Sequence, residues 1–161
     1  MKKVIVIGCP GSGKSTFSRV LHRKTGLPLH HLDMMFWNED RTTVEKFVFR
    51  ERLSAVLGAD EWIIDGNYGS TMELRLAACD TCIFLDFPLA VCLDGVRERS
   101  GKPRSDMPWI ETETDEKFLE FIKKYNEQER PKVLDLLDKY SEKQTIIFKS
   151  REEADEYLSR L

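Results

Sequence analysis

The chain has 161 residues, of which 41% are hydrophobic and 33% are charged, and its formal net charge is −3. These values predict a single globular domain, residues 1–161, with one core. The small negative charge excludes a general electrostatic attraction to nucleic acid or to anionic membranes. No apolar run is long enough for a membrane-spanning helix or a signal-peptide core, so we expect a cytoplasmic protein.

The first predicted element is a β-branched strand at residues 4–7, and the sequence GCPGSGKS follows it at residues 8–15. This sequence is a complete G-x-x-x-x-G-K-[ST] phosphate loop. A helical pattern then places Phe17, Val20 and Leu21 on one face. Because the motif lies between a strand and a helix, we predict a nucleoside triphosphate site at this loop.

The residue types of the loop explain this prediction. Glycines allow successive backbone N–H groups to point at a polyphosphate, and the positive end of the helix dipole adds to their field. Lys14 would reach the β- and γ-phosphates of ATP, and Ser15 would bind Mg²⁺. The predicted nucleotide-binding residues are Gly8, Pro10, Gly11, Ser12, Gly13, Lys14, Ser15 and Thr16.

Four further strands are predicted, and helical patterns separate them along the chain. The strands lie at residues 27–33, 62–66, 82–86 and 145–148. Capping patterns predict helix starts at Thr42, Ser70, Thr112 and Ser150. Most of the strands are continuous apolar runs, which is typical of parallel strands covered by helices on both faces. The sequence therefore predicts an α/β sheet whose ligands bind beyond the carboxyl ends of its strands.

Three of the predicted strands end on an aspartate, at Asp33, Asp65 and Asp86. In a parallel sheet these carboxylates share an edge with the phosphate loop. Asp65 and Asp86 are candidates to hold Mg²⁺ together with Ser15, because magnesium in phosphoryl-transfer sites takes one or two carboxylates. For Asp86, a helix-capping role is an open alternative.

The segment after the second strand, residues 33–60, is the predicted acceptor-binding region. Asp33 could orient an acceptor hydroxyl while Phe36 and Trp37 stack on a ring, although capping and core roles are equally open. Arg75 could bind an acceptor phosphate or lie exposed on its helix. The predicted substrate-binding residues are Asp33, Trp37, Gly66 and Arg75.

A basic segment interrupted by Gly and Pro occupies residues 97–110. It could close as a lid whose arginines clamp the transferring phosphoryl group and exclude water, and a solvated charged face is the alternative. The predicted catalytic residues are Lys14, Asp33, Arg97, Arg99 and Arg104.

Two other patterns do not indicate a metal site. Cys79 and Cys82 have C-x-x-C spacing, but no second such pair accompanies them, so packed, reduced thiols are predicted. His30 and His31 are adjacent in a predicted strand and therefore point to opposite faces. The two imidazoles are not expected to bind one ion.

Several motifs of the chain occur together in one group of proteins. They are GCPGSGKS at 8–15, LHHLD at 29–33 with Phe36-Trp37, WIIDGNY at 62–68, Arg75, FLD at 84–86 and RSDMP at 104–108. In these motifs the chain resembles the adenylate-kinase-related P-loop kinases, and more closely the bacterial DNA topology modulation proteins. The resemblance implies a three-layer αβα P-loop fold of the nucleoside- and nucleotide-kinase type, with a five-stranded parallel sheet of order 2-3-1-4-5. It also implies a short lid, and adenine contacts near residues 149–151.

Two positions depart from the adenylate kinase pattern. Asn67, Tyr68 and Gly69 stand where those enzymes have an aromatic residue, a proline and an arginine that grips the monophosphate. Gly95 stands near the position of an arginine that stacks on adenine. Neither departure favours AMP as the acceptor.

Together the patterns predict an ATP- and Mg²⁺-dependent kinase for a nucleoside, a nucleotide or a small metabolite. The alternative is a regulatory protein that binds a nucleotide, in line with a topology-modulation role, and transfers no phosphate. The expected partners are ATP and a small acceptor, without direct contact to nucleic acid or membrane. We expect a monomer or a weak dimer.

Overall fold

A five-stranded parallel sheet forms the centre of the fold. The computed structural model describes residues 1–111 and 115–161. The strands are β1 (Lys3–Gly8), β2 (Leu29–His31), β3 (Trp62–Asp65), β4 (Thr81–Leu85) and β5 (Gln144–Phe148). Their order is β2-β3-β1-β4-β5, and every neighbouring pair is parallel. The predicted fold class and strand order are confirmed.

Helices cover both faces of this sheet. They are α1 (Lys14–Thr25), α2 (Leu32–Phe36), α3 (Lys46–Leu57), α4 (Gly69–Ala78), α5 (Leu89–Arg99), α6 (Glu116–Gln128), α7 (Arg130–Lys139) and α8 (Arg151–Ser159). Across residues 1–111 and 115–161, none of them combines the length and apolarity that crossing a bilayer requires.

The central strand β1 supplies side chains to both faces of the sheet. Val4 and Val6 pack in a cluster with α1, α5, α6 and α8. Ile5 and Ile7 pack in a second cluster with α3, α4 and α7. All four side chains are completely buried. Because alternate residues of a strand point to opposite faces, this uninterrupted apolar run produces the three layers.

The four cysteines are buried, unpaired thiols of the core: Cys9, Cys79, Cys82 and Cys92. Burial raises the pKa of Cys79 to about 11, so this thiol stays protonated at neutral pH. The prediction of packed, reduced thiols is confirmed.

Two predicted helix caps are wrong, because Thr42 lies in a hairpin turn and Ser70 lies inside a helix. Thr42 lies in a hairpin whose Trp37 and Thr43 form an antiparallel bridge, and its hydroxyl donates to Asp40 at 2.5 Å. Ser70 lies inside α4, which begins after Tyr68. Strand β2 is also shorter than predicted, and Asp33 lies in α2.

The other two predicted caps have different outcomes. Ser150 caps α8, since its side chain accepts a hydrogen bond from the backbone N–H of Glu153 at 3.2 Å. Thr112 lies outside the described residues. The cap of α6 within them is Asp115, whose carboxylate accepts from the backbone N–H of Lys117 at 3.0 Å.

The phosphate loop is in direct backbone contact with α5. A Cβ atom on Gly95 would lie 2.1 Å from the carbonyl oxygen of Gly11, and a Cβ on Gly11 would lie 1.9 Å from that of Cys92. Gly11 also has a positive φ of 83°. Only residues without a side chain permit this approach of the helix to the loop.

We expect the Gly95→Ala variant to lose about 1–3 kcal/mol of unfolding free energy, because its methyl group would push α5 away from the loop. Gly58→Ala is the matched control, since a Cβ there would make ordinary contacts at 3.6 Å. Urea unfolding of both variants measures the difference. Equal unfolding free energies would show that the contact between Gly11 and Gly95 does not constrain the loop.

Candidate functional site

A cavity of about 890 Å³ lies at the carboxyl edge of the sheet, and its volume is in the range of small-molecule sites. The phosphate loop lines one end, and Asp33, Phe36 and Trp37 line another wall. Residues of the predicted lid, including Arg99 and Arg104, also line it. The cavity therefore brings together residues from the loop, the predicted acceptor-binding region and the predicted lid.

Six of the eight predicted loop residues line this cavity: Pro10, Gly11, Gly13, Lys14, Ser15 and Thr16. The other two lie behind it. The backbone N–H of Gly8 donates to Oδ1 of Asn67 at 3.1 Å, and Ser12 is 1% exposed. Gly8 and Ser12 are therefore buried parts of the loop that do not face the cavity.

Lys14 is held across the loop by the loop's own backbone. Its Nζ donates to the carbonyl oxygens of Gly8 at 2.9 Å and Cys9 at 3.3 Å. Burial lowers the pKa of Lys14, and the charge of Asp65 opposes this effect. The ammonium group is thereby fixed at the loop, where a phosphate would bind.

Asp106 is a buried carboxylate at the loop that sequence reasoning missed. Its Oδ2 accepts from Ser15 Oγ at 2.6 Å and from Arg104 at 2.5 Å. Burial raises the pKa of Asp106, but the hydrogen bonds and charge of Arg104 and the Ser15 hydroxyl outweigh burial and hold the pKa well below its usual value. The sequence signal for Asp106 was its place just after Arg104, in the RSDMP motif at 104–108.

Asp65 lines the same cavity and pairs with a histidine. Its Oδ2 lies 2.8 Å from Nδ1 of His31, and the two residues are also paired in register between β2 and β3. Burial lowers the pKa of His31, but the hydrogen bond to Asp65 and the charges of Asp65 and Asp106 together outweigh burial, so the pKa is raised. His31 therefore orients the Asp65 carboxylate.

The oxygen donors Ser15, Asp65 and Asp106 suit Mg²⁺, which prefers hydroxyl and carboxylate ligands. In the part of the chain that the structure describes, no group of three His, Cys, Asp or Glu side chains could hold a metal ion alone. Magnesium bound here would take its remaining ligands from phosphate oxygens and water, as is usual for this ion.

Asp86 belongs to a different arrangement. Its two carboxylate oxygens accept from Arg130 at 2.9 Å each, and Lys149 also donates to it. Asp86 does not line the cavity. Its predicted metal role has no support in this geometry, because both oxygens are used to tie α7 and the end of β5 to β4.

Arg75 is not exposed on its helix, so that interpretation is wrong, and its side chain does not line the cavity where an acceptor would bind. Its side chain is completely buried. Its guanidinium donates to the carbonyl oxygens of Gly66 at 2.9 Å, of Asn67, and of Tyr68 at 3.2 Å. Burial lowers its pKa to about 10, so it remains a cation at neutral pH. Arg75 thus fixes the backbone turn after β3.

That turn places the Tyr68 side chain next to Asp33. Tyr68 has a positive φ of 36°, which is uncommon for a residue with a side chain, and its hydroxyl donates to Oδ1 of Asp33 at 2.5 Å. Burial raises the pKa of Asp33, although the Tyr68 hydrogen bond opposes the rise. Both residues line the cavity.

A chain of aromatic rings lines the same cavity as Asp33. The ring of Phe36 lies 5.0 Å from Tyr68 and 5.4 Å from Trp37, centroid to centroid. Trp37 lies 5.7 Å from Trp109 of the lid segment. The sequence indicated Phe36 and Trp37, but only the fold brings Tyr68 and Trp109 to them.

The three predicted lid arginines have different positions. Arg99 and Arg104 line the cavity, and each lies 3.3 Å from a carboxylate oxygen of Glu111. Arg97 is 69% exposed, pairs with Asp94 and does not line the cavity. The structure therefore brings two of the three predicted arginines to the site.

No protein-family model matches the chain, and no curated protein is similar to it in sequence. Solved structures of three shikimate kinases share its fold. The enzyme from Acinetobacter baumannii in complex with shikimate has a TM-score of 0.65 at 16% identity and covers 99% of this chain and 92% of its own. The enzyme from Bacteroides thetaiotaomicron has a TM-score of 0.56 at 19% identity and covers 98% of this chain and 94% of its own. The enzyme from Aquifex aeolicus has a TM-score of 0.53 at 17% identity and covers 98% of this chain and 91% of its own.

These similarities show that the chain has the P-loop kinase fold of those enzymes. At 16% to 19% identity they do not extend to activity or substrate. They also do not show the DNA topology modulation family, so that resemblance stays a prediction.

The Asp86→Asn variant tests the structural role of Asp86. The pKa of Asp86 lies below its ordinary value in the folded chain, because Arg130 and Lys149 outweigh the opposing effect of burial. Its ion pairs therefore contribute stability above about pH 4, and the contribution is lost as the pH falls through the folded pKa. We expect the variant to unfold with about 2 kcal/mol less free energy at pH 7 and with a smaller deficit below pH 4.

Denaturant unfolding across this pH range measures the deficit, and Asp94→Asn, on an exposed ion pair, is the control. Unchanged stability at pH 7 together with lost binding of Mg·ATP would instead support the metal role.

Proposed function

We propose that this chain is an ATP-dependent kinase that transfers the γ-phosphoryl group to a hydroxyl of a small molecule. The observation that carries the proposal is that one cavity is lined by the phosphate loop, by the half-buried carboxylate of Asp33 and by two arginines of the predicted lid. In this proposal residues 1–161 form one domain, residues 33–60 bind the acceptor and residues 97–110 act as the lid. The shared fold of three kinases supports it.

The donor nucleotide would bind along the phosphate loop at the N-terminus of α1. Backbone N–H groups of the loop and Lys14 would hold its β- and γ-phosphates. Arg151 lines the same end of the cavity, in the region where the family resemblance implies adenine contacts. Ser15 with Asp106 and Asp65 would hold Mg²⁺, which neutralises charge on these phosphates when bound.

Asp33 would act on the acceptor. The acceptor oxygen attacks the γ-phosphorus, the bond from that phosphorus to the bridging oxygen breaks, and ADP leaves. The hydroxyl proton passes to the Asp33 carboxylate, which Tyr68 holds in position. Arg99 and Arg104 would stabilise the charge on the transferring group, and the lid excludes water that would otherwise accept the phosphate.

Two substitutions separate the donor and acceptor roles. Lys14→Ala should abolish ATP binding, because it removes the cation at the phosphates. Asp33→Asn should retain ATP binding but lower turnover by about 10²–10⁴-fold, because the amide cannot accept the proton. Calorimetry with a non-hydrolysable ATP analogue measures binding. Mass spectrometry of a panel of nucleosides, monophosphates and hydroxylated metabolites, shikimate among them, measures turnover.

Asp60→Asn is the control for Asp33→Asn, since Asp60 is exposed. If a broad panel yields no phosphorylated product while ATP binds, the kinase proposal is wrong. A gel mobility shift with DNA that depends on ATP, measured at a stated salt concentration, would then favour the regulatory alternative.

The pH profile tests the role of Asp33 as the base. A base must be ionised, so kcat/KM should fall as the pH drops through the Asp33 pKa, which burial raises above its ordinary value. The Tyr68 hydrogen bond lowers that pKa, so Tyr68→Phe should move the acid limb of the profile to higher pH. Tyr140→Phe, with its hydroxyl on Glu73 far from Asp33, is the control. An acid limb at the same pH in Tyr68→Phe would argue against Asp33 as the base.

A further inference from the structure

The charges around the acceptor end of the cavity select the kind of acceptor. We define the acceptor end as the part lined by Asp33, Phe36, Trp37, Tyr68 and Trp109. An anionic acceptor needs a cation that is available to it there, because a buried anion without a partner is costly.

Six cationic side chains line the cavity within the described ranges: Lys14, Arg19, Arg99, Lys102, Arg104 and Arg151. Three of them lie at the nucleotide end. Lys14 crosses the loop, Arg19 donates to Thr16 at 3.1 Å, and Arg151 is the side chain nearest to Gly13. A bound triphosphate would engage these cations.

The remaining three cations belong to the lid. Lys102 is exposed. Arg99 and Arg104 both act electrostatically on Asp33, as does Lys14 of the loop. Glu111 lies 3.3 Å from each arginine as an ion-pair partner, and Asp106 lies 2.5 Å from Arg104. Among the described residues, Arg104 makes hydrogen bonds to these carboxylates and Arg99 does not. The side chains of Arg104, Asp106 and Glu111 are between 4% and 19% exposed, so solvent screens these pairs weakly.

The turn after β3 supplies no anion clamp either. The guanidinium of Arg75 already donates to the backbone carbonyls of Gly66, Asn67 and Tyr68. Asn67 itself lines the cavity, with its Oδ1 bound to the backbone N–H of Gly8. Its amide NH₂ is therefore a neutral donor, which suits a hydroxyl or carbonyl oxygen of a ligand.

A carboxylate of the cavity would also repel an anionic acceptor, since Asp33 would face it. An acceptor carboxylate or phosphate would have to displace Glu111 or Asp106 from its arginines and leave a buried carboxylate unpaired. The four aromatic rings instead offer flat, apolar surface.

We infer that the acceptor is an uncharged alcohol that presents a ring face to Phe36, Trp37, Tyr68 and Trp109, a nucleoside-like molecule rather than a phosphate monoester or a carboxylic acid. This inference rests on the proposed kinase function. The acceptor hydroxyl gives its proton to Asp33 as its oxygen bonds to the γ-phosphorus, and the bond to the bridging oxygen breaks to release ADP.

The test uses the full chain with Mg·ATP and matched pairs of acceptors. Each nucleoside is paired with its 5′-monophosphate, and each ring hydroxy acid with its carboxamide. Radiolabelled phosphate transfer gives kcat/KM for every member. We expect the uncharged member to exceed its anionic partner by about tenfold or more, because like charges in the site oppose the anion. Equal values, or a preference for the anionic members, would overturn the inference and leave the kinase proposal standing.

A panel in which no member of either kind is phosphorylated, although ATP binds, would overturn the kinase proposal and the inference with it. The two failures are therefore distinguishable.

A variant tests the charge argument directly. Glu111→Gln removes the carboxylate shared by Arg99 and Arg104, so the preference for uncharged acceptors should shrink by about fivefold or more. Glu120→Gln, which changes an exposed ion pair with Lys124, is the control. An unchanged preference in Glu111→Gln, in a variant that still phosphorylates the uncharged acceptor, would overturn the charge explanation.

Discussion

The site depends on how β1 is held between β3 and β4. Gly8 is opposite Leu85 of β4, and Val6 is opposite Asp65 of β3. Beyond these ladders, the Gly66 backbone N–H donates to Val6 at 3.2 Å and the Gly8 backbone N–H donates to Asn67. The start of the phosphate loop and the exit of β3 are thus bonded to each other. The position of the nucleotide end therefore fixes the positions of Asp65 and of the turn that carries Tyr68.

Ion pairs attach the predicted lid, residues 97–110, to this edge. Asp106 bridges Ser15 of the loop and Arg104, and Glu111 joins Arg104 to Arg99. A buried ion pair is costly to break when one partner is left alone. These contacts therefore hold Arg99 and Arg104 beside the phosphate loop.

The features that the sequence predicted correctly are those that depend on local residue patterns. The phosphate loop, the five strands and the packed thiols follow from spacing and hydrophobicity, and the strand order followed from a family resemblance. The roles of Asp86 and Arg75 could not be predicted in this way. Asp86 meets Arg130 and Lys149, which are 44 and 63 residues away in sequence. Arg75 binds carbonyls of a turn that contains a positive φ at Tyr68, and no residue pattern signals such a turn. The role of Asp106 is also a long-range contact, since Ser15 lies 91 residues away in sequence.

The two departures from the adenylate kinase pattern have structural explanations in this chain. Gly95 allows the backbone of α5 to touch Gly11, which an arginine at that position would prevent. Asn67 stands in the turn where the pattern has its phosphate-gripping segment, and its side chain binds the backbone of Gly8 instead. Both positions therefore stabilise the loop rather than contact a ligand through a cation. Because the arginine that the pattern would place in the turn after β3 is missing, this turn presents neutral polar groups and the ring of Tyr68 to the cavity.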